Sequence, residues 1–243
     1  MEKARLRAVA AEQSSAWLNA LPLPSMGLKL DNASMRISCG LRLGSPICQQ
    51  FSCACGSVVD ALGRHGLSCK YAKGRHSRHS HSNDILKRAL ATADVPSILE
   101  PSGLSRTDNE RPDGLSLFPW KEGKNLVWDY TCADSLAWSH VQSTSNKAGK
   151  AAEESEKRKL AKYDYLTRDY LFLPIASETL GSWGPIALKF IKELGGRIAD
   201  RTGESRSTSF LFQTLSVVIQ RGNAASVIGS LPQNKKLDEI FNL

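Results

Sequence analysis

Residues 111–132 read Arg-Pro-Asp-Gly-Leu-Ser-Leu-Phe-Pro-Trp-Lys-Glu-Gly-Lys-Asn-Leu-Val-Trp-Asp-Tyr-Thr-Cys, and the two acids in this stretch, Asp113 and Asp129, decide how the chain is read. Two strand-like runs, 115–118 and 126–132, flank a polar turn at 120–125. Asp113 follows a proline and precedes a glycine at the entrance to the first run. Asp129 lies within the second, where a period of two puts Val127, Asp129 and Thr131 on one face. Aspartate is disfavoured in strands, and a buried carboxylate has to be paired or coordinate a metal. The stretch therefore predicts that Asp113 and Asp129 share a divalent metal.

Working outward, 100–101 is Glu-Pro, preceded by a possible short strand at Ile98-Leu99. An amphipathic helix is expected over 83–90, capped by Ser82 or Asn83 and turning Ile85, Leu86 and Leu90 inward. After the acidic strands, Leu160, Tyr163, Leu166 or Thr167, and Tyr170 recur at helical spacing and predict one long helix over 146–170. Lys159 and Lys162 lie along one side of it. Residues 171–176 read as a strand that Pro174 confines to an edge or a bulge.

Residues 47–82 differ in composition. Cys48, Cys53, Cys55, His65 and Cys69 are interleaved with Gly56, Gly63 and Gly66. Zinc takes four tetrahedral thiolate or imidazole ligands, usually as two close pairs. Cys53 with Cys55 form one pair and His65 with Cys69 the other; Cys48 could replace a member of the tight Cys-x-Cys pair. The alternative is a set of small buried cysteines and a structural histidine. The run that follows holds seven Lys or Arg between Arg64 and Arg88 against one acid, Asp84. Such a cluster suits a phosphate backbone, with Arg75, Arg78 and, further on, Arg111 as candidate contacts. His76, His79 and His81 read as a solvated surface rather than as further ligands.

At the ends, 1–46 reads as a helical lead-in: a short helix through Trp17, Leu18 and Leu21 capped by Ser14 or Ser15, then one started by Asp31 and closed by Gly44 and Pro46. Near the C-terminus, Pro185 opens a helix that Gly203 stops, and a second is expected to end near Gly222. The expected domains are thus 1–46, the knuckle and basic segment 47–82, a core 83–182, and a helical extension 183–243.

The 243 residues carry a net charge of +8 and a sequence pI near 9.2, which favours a polyanionic partner. No apolar run approaches the roughly 18 residues of a membrane span, and the charged start has no signal-peptide core. Clustered cysteines beside a histidine suit a reducing compartment better than a disulfide framework. An intracellular protein is expected.

Taken in order, the Cys-Cys-His-Cys knot, Gly-Arg-His-x-Arg-His, Glu-Pro, Arg-Pro-Asp-Gly, Val-Trp-Asp and Lys-x-x-Lys-Tyr resemble the restriction-like endonuclease domain of site-specific non-LTR retrotransposons. The resemblance spans about residues 48–176 and is looser at the ends. It implies an α/β (α+β) fold of the PD-(D/E)xK type, a mixed sheet flanked by helices, with a zinc knuckle before it. It implies that Asp113 and Asp129 bind catalytic Mg2+ or Mn2+, that Lys159 or Lys162 is the catalytic lysine, and that Cys53, Cys55, His65 and Cys69 hold structural Zn2+. Glu100 and Asp84 are candidate extra ligands, and Glu178 is expected to be exposed or capping. The implied activity is nicking of DNA in a nuclear setting, so that a reverse transcriptase segment can prime on the break from an RNA template. The chain carries no recognisable polymerase segment and is expected to be a fragment or a domesticated remnant. In the standard motif the lysine lies two residues after the second acid; Thr131 stands there, so the lysine must come from the following helix. The rival readings are a zinc-stabilised DNA-binding module without cleavage and a junction-resolving nuclease.

Overall fold

The computed structural model describes residues 1–72, 74–104, 111–232 and 237–241; Lys73 of the basic run lies outside them. The chain opens with helix α1 (Glu2–Val9), which adds a helix to the expected lead-in ahead of the two placed from the sequence. Its Arg5 is buried and meets Glu2 and the Arg42 carbonyl. The helix expected after Ser14 is only a 3-10 turn, Ala16–Asn19. Helix α2 (Asn32–Leu43) keeps the expected limits: the Asp31 carboxylate accepts from the Ser34 amide at 2.8 Å, and Gly44 closes it at φ 69°. Such a cap contributes about 1 kcal/mol.

The cysteine-rich segment folds as a two-stranded hairpin, β1 (Phe51–Ser52) and β2 (Val58–Val59), followed by the single turn α3 (His65–Ser68). Helix α4 (Gly74–Thr92) then begins well before the expected cap and takes in the basic run. The apolar stripe does not reveal this first half because its inward residues are Gly74, Arg78, Ser82 and Asn83. Close packing holds it instead. A Cβ on Gly74 would lie 2.4 Å from the Ser226 nitrogen, and one on Gly222 would lie 2.4 Å from the Arg78 Cβ.

Strands β3 (Ser97–Leu99), β4 (Gly114–Lys121), β5 (Lys124–Ala133) and β6 (Leu171–Glu178) form one mixed sheet in the order β3-β4-β5-β6. The first two pairings are antiparallel and the last is parallel. The β4–β5 hairpin is longer than expected and turns on Glu122 and Gly123, both at positive φ (51° and 70°), the conformation favoured in tight hairpins. Pro174 is on the edge strand, opposite Asp129, where its missing N–H leaves no ladder bond unmade.

The crossover from β5 to β6 is broken into α5 (Val141–Asn146), α6 (Lys150–Lys162) and a 3-10 turn (Asp164–Leu166), not the single long helix. Gly149, at φ 74°, separates the first two. The predicted stripe still packs: Tyr163 and Leu166 are buried against Val127 and Phe172, with Leu160 and Tyr170 at the margin. Helices α7 (Pro185–Thr202), α8 (Ser207–Ile228) and α9 (Leu237–Ile240) follow. Helix α8 passes through Gly222 because that glycine marks its crossing with α4.

The sheet alternates as read. Leu126, Trp128 and Tyr130 join the core beneath α4, α7 and α8, while Val127 faces the α6 side. A second core unites α1, α2, the knuckle, the end of α8 and Phe241. The lead-in and the knuckle therefore share one interior, and residue 82 falls inside α4, not at a boundary between packed units. Among the described residues, no helix is long and apolar enough to cross a membrane.

Candidate active site and metal centre

Asp113 stands at the mouth of β4, its backbone bridging two neighbours: its N–H donates to the Trp128 carbonyl at 3.0 Å and its carbonyl accepts from the Glu100 amide at 2.8 Å. Gly114 follows because nothing larger fits. A Cβ there would lie 2.0 Å from the Trp128 ring, whose Nε1 donates to Asn83 Oδ1 at 2.9 Å. The Asp113 carboxylate is held at the end of the strand, where Oδ2 accepts from the Tyr130 amide at 2.6 Å and lies 3.0 Å from His79 Nε2. The pairing with Asp113 raises the His79 pKa above the usual imidazole value, against the opposing effect of burial.

Asp129, one strand over, is only 4% exposed. Its two oxygens lie 2.8 and 3.0 Å from Lys159 Nζ, which reaches in from α6. Burial, then the nearby Asp113 charge, push the Asp129 carboxyl above the usual carboxylate range, and Lys159 opposes them. Beneath lies Tyr163, whose hydroxyl donates to the Arg111 carbonyl at 3.1 Å and whose pKa is raised by burial and by Asp129. Lys162 Nζ sits 4.9 Å from the centre of the Tyr163 ring. The fold thus brings Asp113, Asp129 and Lys159 together, and Lys159 rather than Lys162 forms the ion pair with Asp129.

His79, expected in a solvated run, is indeed 44% exposed at the margin of α4, yet it reaches this site through its contact with Asp113. Thr131 and Lys159 line a cavity of about 510 Å³ together with Lys70, Arg75 and His76. Of the candidate phosphate contacts, Arg75 is exposed on that wall. Arg78 is 3% exposed and donates to Asn223 Oδ1 at 2.5 Å, so it chiefly ties α4 to α8. Arg111 pairs with Glu100, whose carboxylate is largely exposed. Asp84 pairs with Arg88 at 3.0 Å one turn along α4. His81 is bound to the Ser77 carbonyl at 2.7 Å.

Glu178, expected to be exposed or capping, is fully buried and caps: Oε1 accepts from the Ala151 and Ala152 amides at 2.9 and 3.3 Å, at the N-terminus of α6. Burial raises its pKa. Glu156, on α6, does the same for α7, accepting from Ile186 and Ala187 at 3.2 and 2.8 Å, with its pKa pushed up to about 7 by burial. The sequence reading missed Glu156. These caps lock the helix that carries Lys159 between β6 and α7.

A second constellation lies in the knuckle. One ligand atom from each of Cys53, Cys55, His65 and Cys69 falls within 4.8 Å of all the others. Cys53 and Cys69 Sγ are 3.7 Å apart, and Cys55 Sγ is 3.2 Å from His65 Nε2. A tetrahedral centre with zinc–sulfur bonds of about 2.3 Å separates its ligands by roughly 3.8 Å, so the four could hold a metal such as zinc. Cys48 does not compete: its thiol is directed at the Asp60 carbonyl, 3.3 Å away. Burial raises Cys53 to about 11, whereas hydrogen bonds from Ser57 lower Cys55 to about 6. No family model matches the chain, and no curated protein matches it.

Proposed function

We propose that this chain is a divalent-metal-dependent DNA endonuclease that nicks a phosphodiester, with a PD-(D/E)xK core descended from a retrotransposon domain. The observation that carries the reading is the Asp129–Lys159 pair. Two groups thirty positions apart in sequence meet within 2.8 Å, beside Asp113 and at the wall of a basic cavity. The donor chemistry fits magnesium or manganese, which take carboxylate oxygens; Asp113 and Asp129 would hold the ion. When bound, that ion supplies charge neutralisation and a water of lowered pKa. Lys159 presents an ammonium to the charge that develops on the scissile phosphate. His79 fixes the Asp113 carboxylate. The nuclear setting, and a reverse transcriptase segment or RNA template as partner, belong to the same proposal.

The test is nicking of supercoiled plasmid in magnesium or manganese by the wild type and by Asp129→Ala. Loss of nicking in the variant supports the reading; equal rates, or no nicking by either across metals and salt, would sink it. One observation favours the rival, a DNA-binding module without cleavage: both acids already carry a side-chain partner, His79 on Asp113 and Lys159 on Asp129. Under the rival, the wild type binds DNA and never nicks it. A junction-resolving nuclease on the same fold would cut only branched substrates.

A further inference from the structure

The basic cavity beside the acids does not end there. It shares Arg75, Thr131 and Cys132 with a second cavity of about 240 Å³ that reaches Arg158 and Ser68. This in turn shares Ser68, Asp134 and Ala137 with a third, of about 440 Å³, bounded by Arg64 and Trp138. The three form one open trough running from Lys159, past the Cys/His cluster, to the turn after β5. Lys70, Arg75, Arg158 and Arg64 mark successive positions along it. Of the two acids that line it among the described residues, Asp134 is turned inward, with Oδ1 accepting from the Leu136 amide and the Thr179 hydroxyl, both at 3.1 Å. Asp60 is the exposed one.

At the far end stands Trp138, 83% exposed. A tryptophan face open to water is costly, and such faces are typical of sites that stack a flat partner. The other four tryptophans, Trp17, Trp120, Trp128 and Trp183, are all 4% exposed or less. Spaced cations ending in a bare aromatic plane match the requirements of an unpaired polynucleotide, whose phosphates track the cations and whose base is free to stack. A duplex satisfies the cations but keeps its bases stacked on each other.

We infer that the trough is a path for a single DNA strand, with Trp138 stacking an unpaired base at a distance from the cutting site, so that the substrate is locally melted DNA rather than continuous duplex. The inference rests on the endonuclease reading of the acid–lysine site, but its test is a binding measurement made without magnesium or manganese.

The measurement is fluorescence anisotropy of a labelled 20-nucleotide DNA, single-stranded or as duplex, titrated with the zinc-loaded protein. The wild type should bind the single strand at least fivefold tighter than the duplex. Trp138→Ala should weaken single-strand binding about tenfold, leave duplex binding nearly unchanged, and leave the melting temperature in place because the side chain packs on little. Trp138→Phe should restore most of the loss. Bound single strand should also shield the wild type from acrylamide quenching, which reports on Trp138 as the exposed tryptophan. Affinity within twofold of wild type for Trp138→Ala, unchanged quenching, or tenfold tighter binding of the same sequence as RNA overturns the inference. A protein that fails to nick plasmid but shows Trp138-dependent binding therefore breaks the endonuclease reading alone, and nicking with no Trp138 dependence breaks the trough alone.

Discussion

The knuckle and the acid–lysine site are both candidate metal-binding regions, and they are assembled in opposite ways. The knuckle draws its four ligands from one short loop system, Cys53 to Cys69, with the soft sulfur and nitrogen donors that suit zinc. The acid–lysine site draws one group each from α4, the mouth of β4, β5 and α6, and its oxygen donors suit a hard ion. The knuckle's hairpin strands are two residues each, so its loops rest on the ligand cluster and on the core they share with α1, α2 and the end of α8. In the second region a sheet, two buried glutamate caps and a glycine pressed against Trp128 hold the groups in place.

The largest effect that tests this contrast is zinc removal. Structural zinc stabilises small domains by roughly 10 kcal/mol, so chelation or Cys69→Ser should unfold the knuckle. The damage should spread, because Leu67 and Cys53 share a core with Ala224 and Val227 of α8. Hydrogen exchange should rise across 47–72 and at the end of α8 while β5 stays protected. Unchanged exchange and melting after chelation would mean that the cluster is only a set of packed cysteines.

A smaller effect separates the two lysines. Lys159→Met removes the partner of Asp129 and should lower nicking about 10²-fold, the scale of losing one preorganised charge-stabilising group. Lys162→Met, against the Tyr163 ring, should change the rate by only a few fold. The opposite order, measured on supercoiled plasmid, would move the chemistry to Lys162 and make the Asp129–Lys159 pair structural.

The same contrast explains what could be read in advance. The knuckle ligands were legible because they lie close in sequence and their element types are diagnostic. Asp113 and Asp129 were legible because a carboxylate in a strand contradicts its surroundings, and the alternation of β5 placed Asp129 on the α6 face. Spacing could not choose between Lys159 and Lys162, three positions apart on the same helix; the choice depends on where α6 ends and on Tyr163. His79 was hidden because the inner side of early α4 consists of Gly74, Arg78 and Ser82, whose fit to Gly222 and Ser226 is a matter of close approach rather than hydrophobicity. Gly149 interrupts the α5–α6 pattern for a similar reason: a Cβ there would lie 2.6 Å from the Trp183 carbonyl.

The smallest effect concerns the caps that hold α6, and it has a definite sign. Glu156 is 1% exposed and its carboxyl is raised from an ordinary 4.5 to about 7. Between those two values the folded chain binds more protons at this group than the unfolded chain, so stability falls as pH rises. The contribution is fully present below about pH 4.5 and is lost as pH passes 7, a swing of roughly 3 kcal/mol. Glu156→Gln removes the titration while keeping an oxygen for the α7 amides. Urea melts at a series of pH values should therefore give a wild-type stability that declines relative to the variant from pH 5 to 7 and runs parallel to it above. Because Glu156 joins α6 to α7 and makes no bond to the knuckle, the extra hydrogen exchange at high pH should appear in α7 and the sheet-side helices and spare 47–72. A pH-independent difference between variant and wild type would show that the α7 cap does not carry the raised carboxyl, and would leave Lys159 held by the Glu178 cap alone.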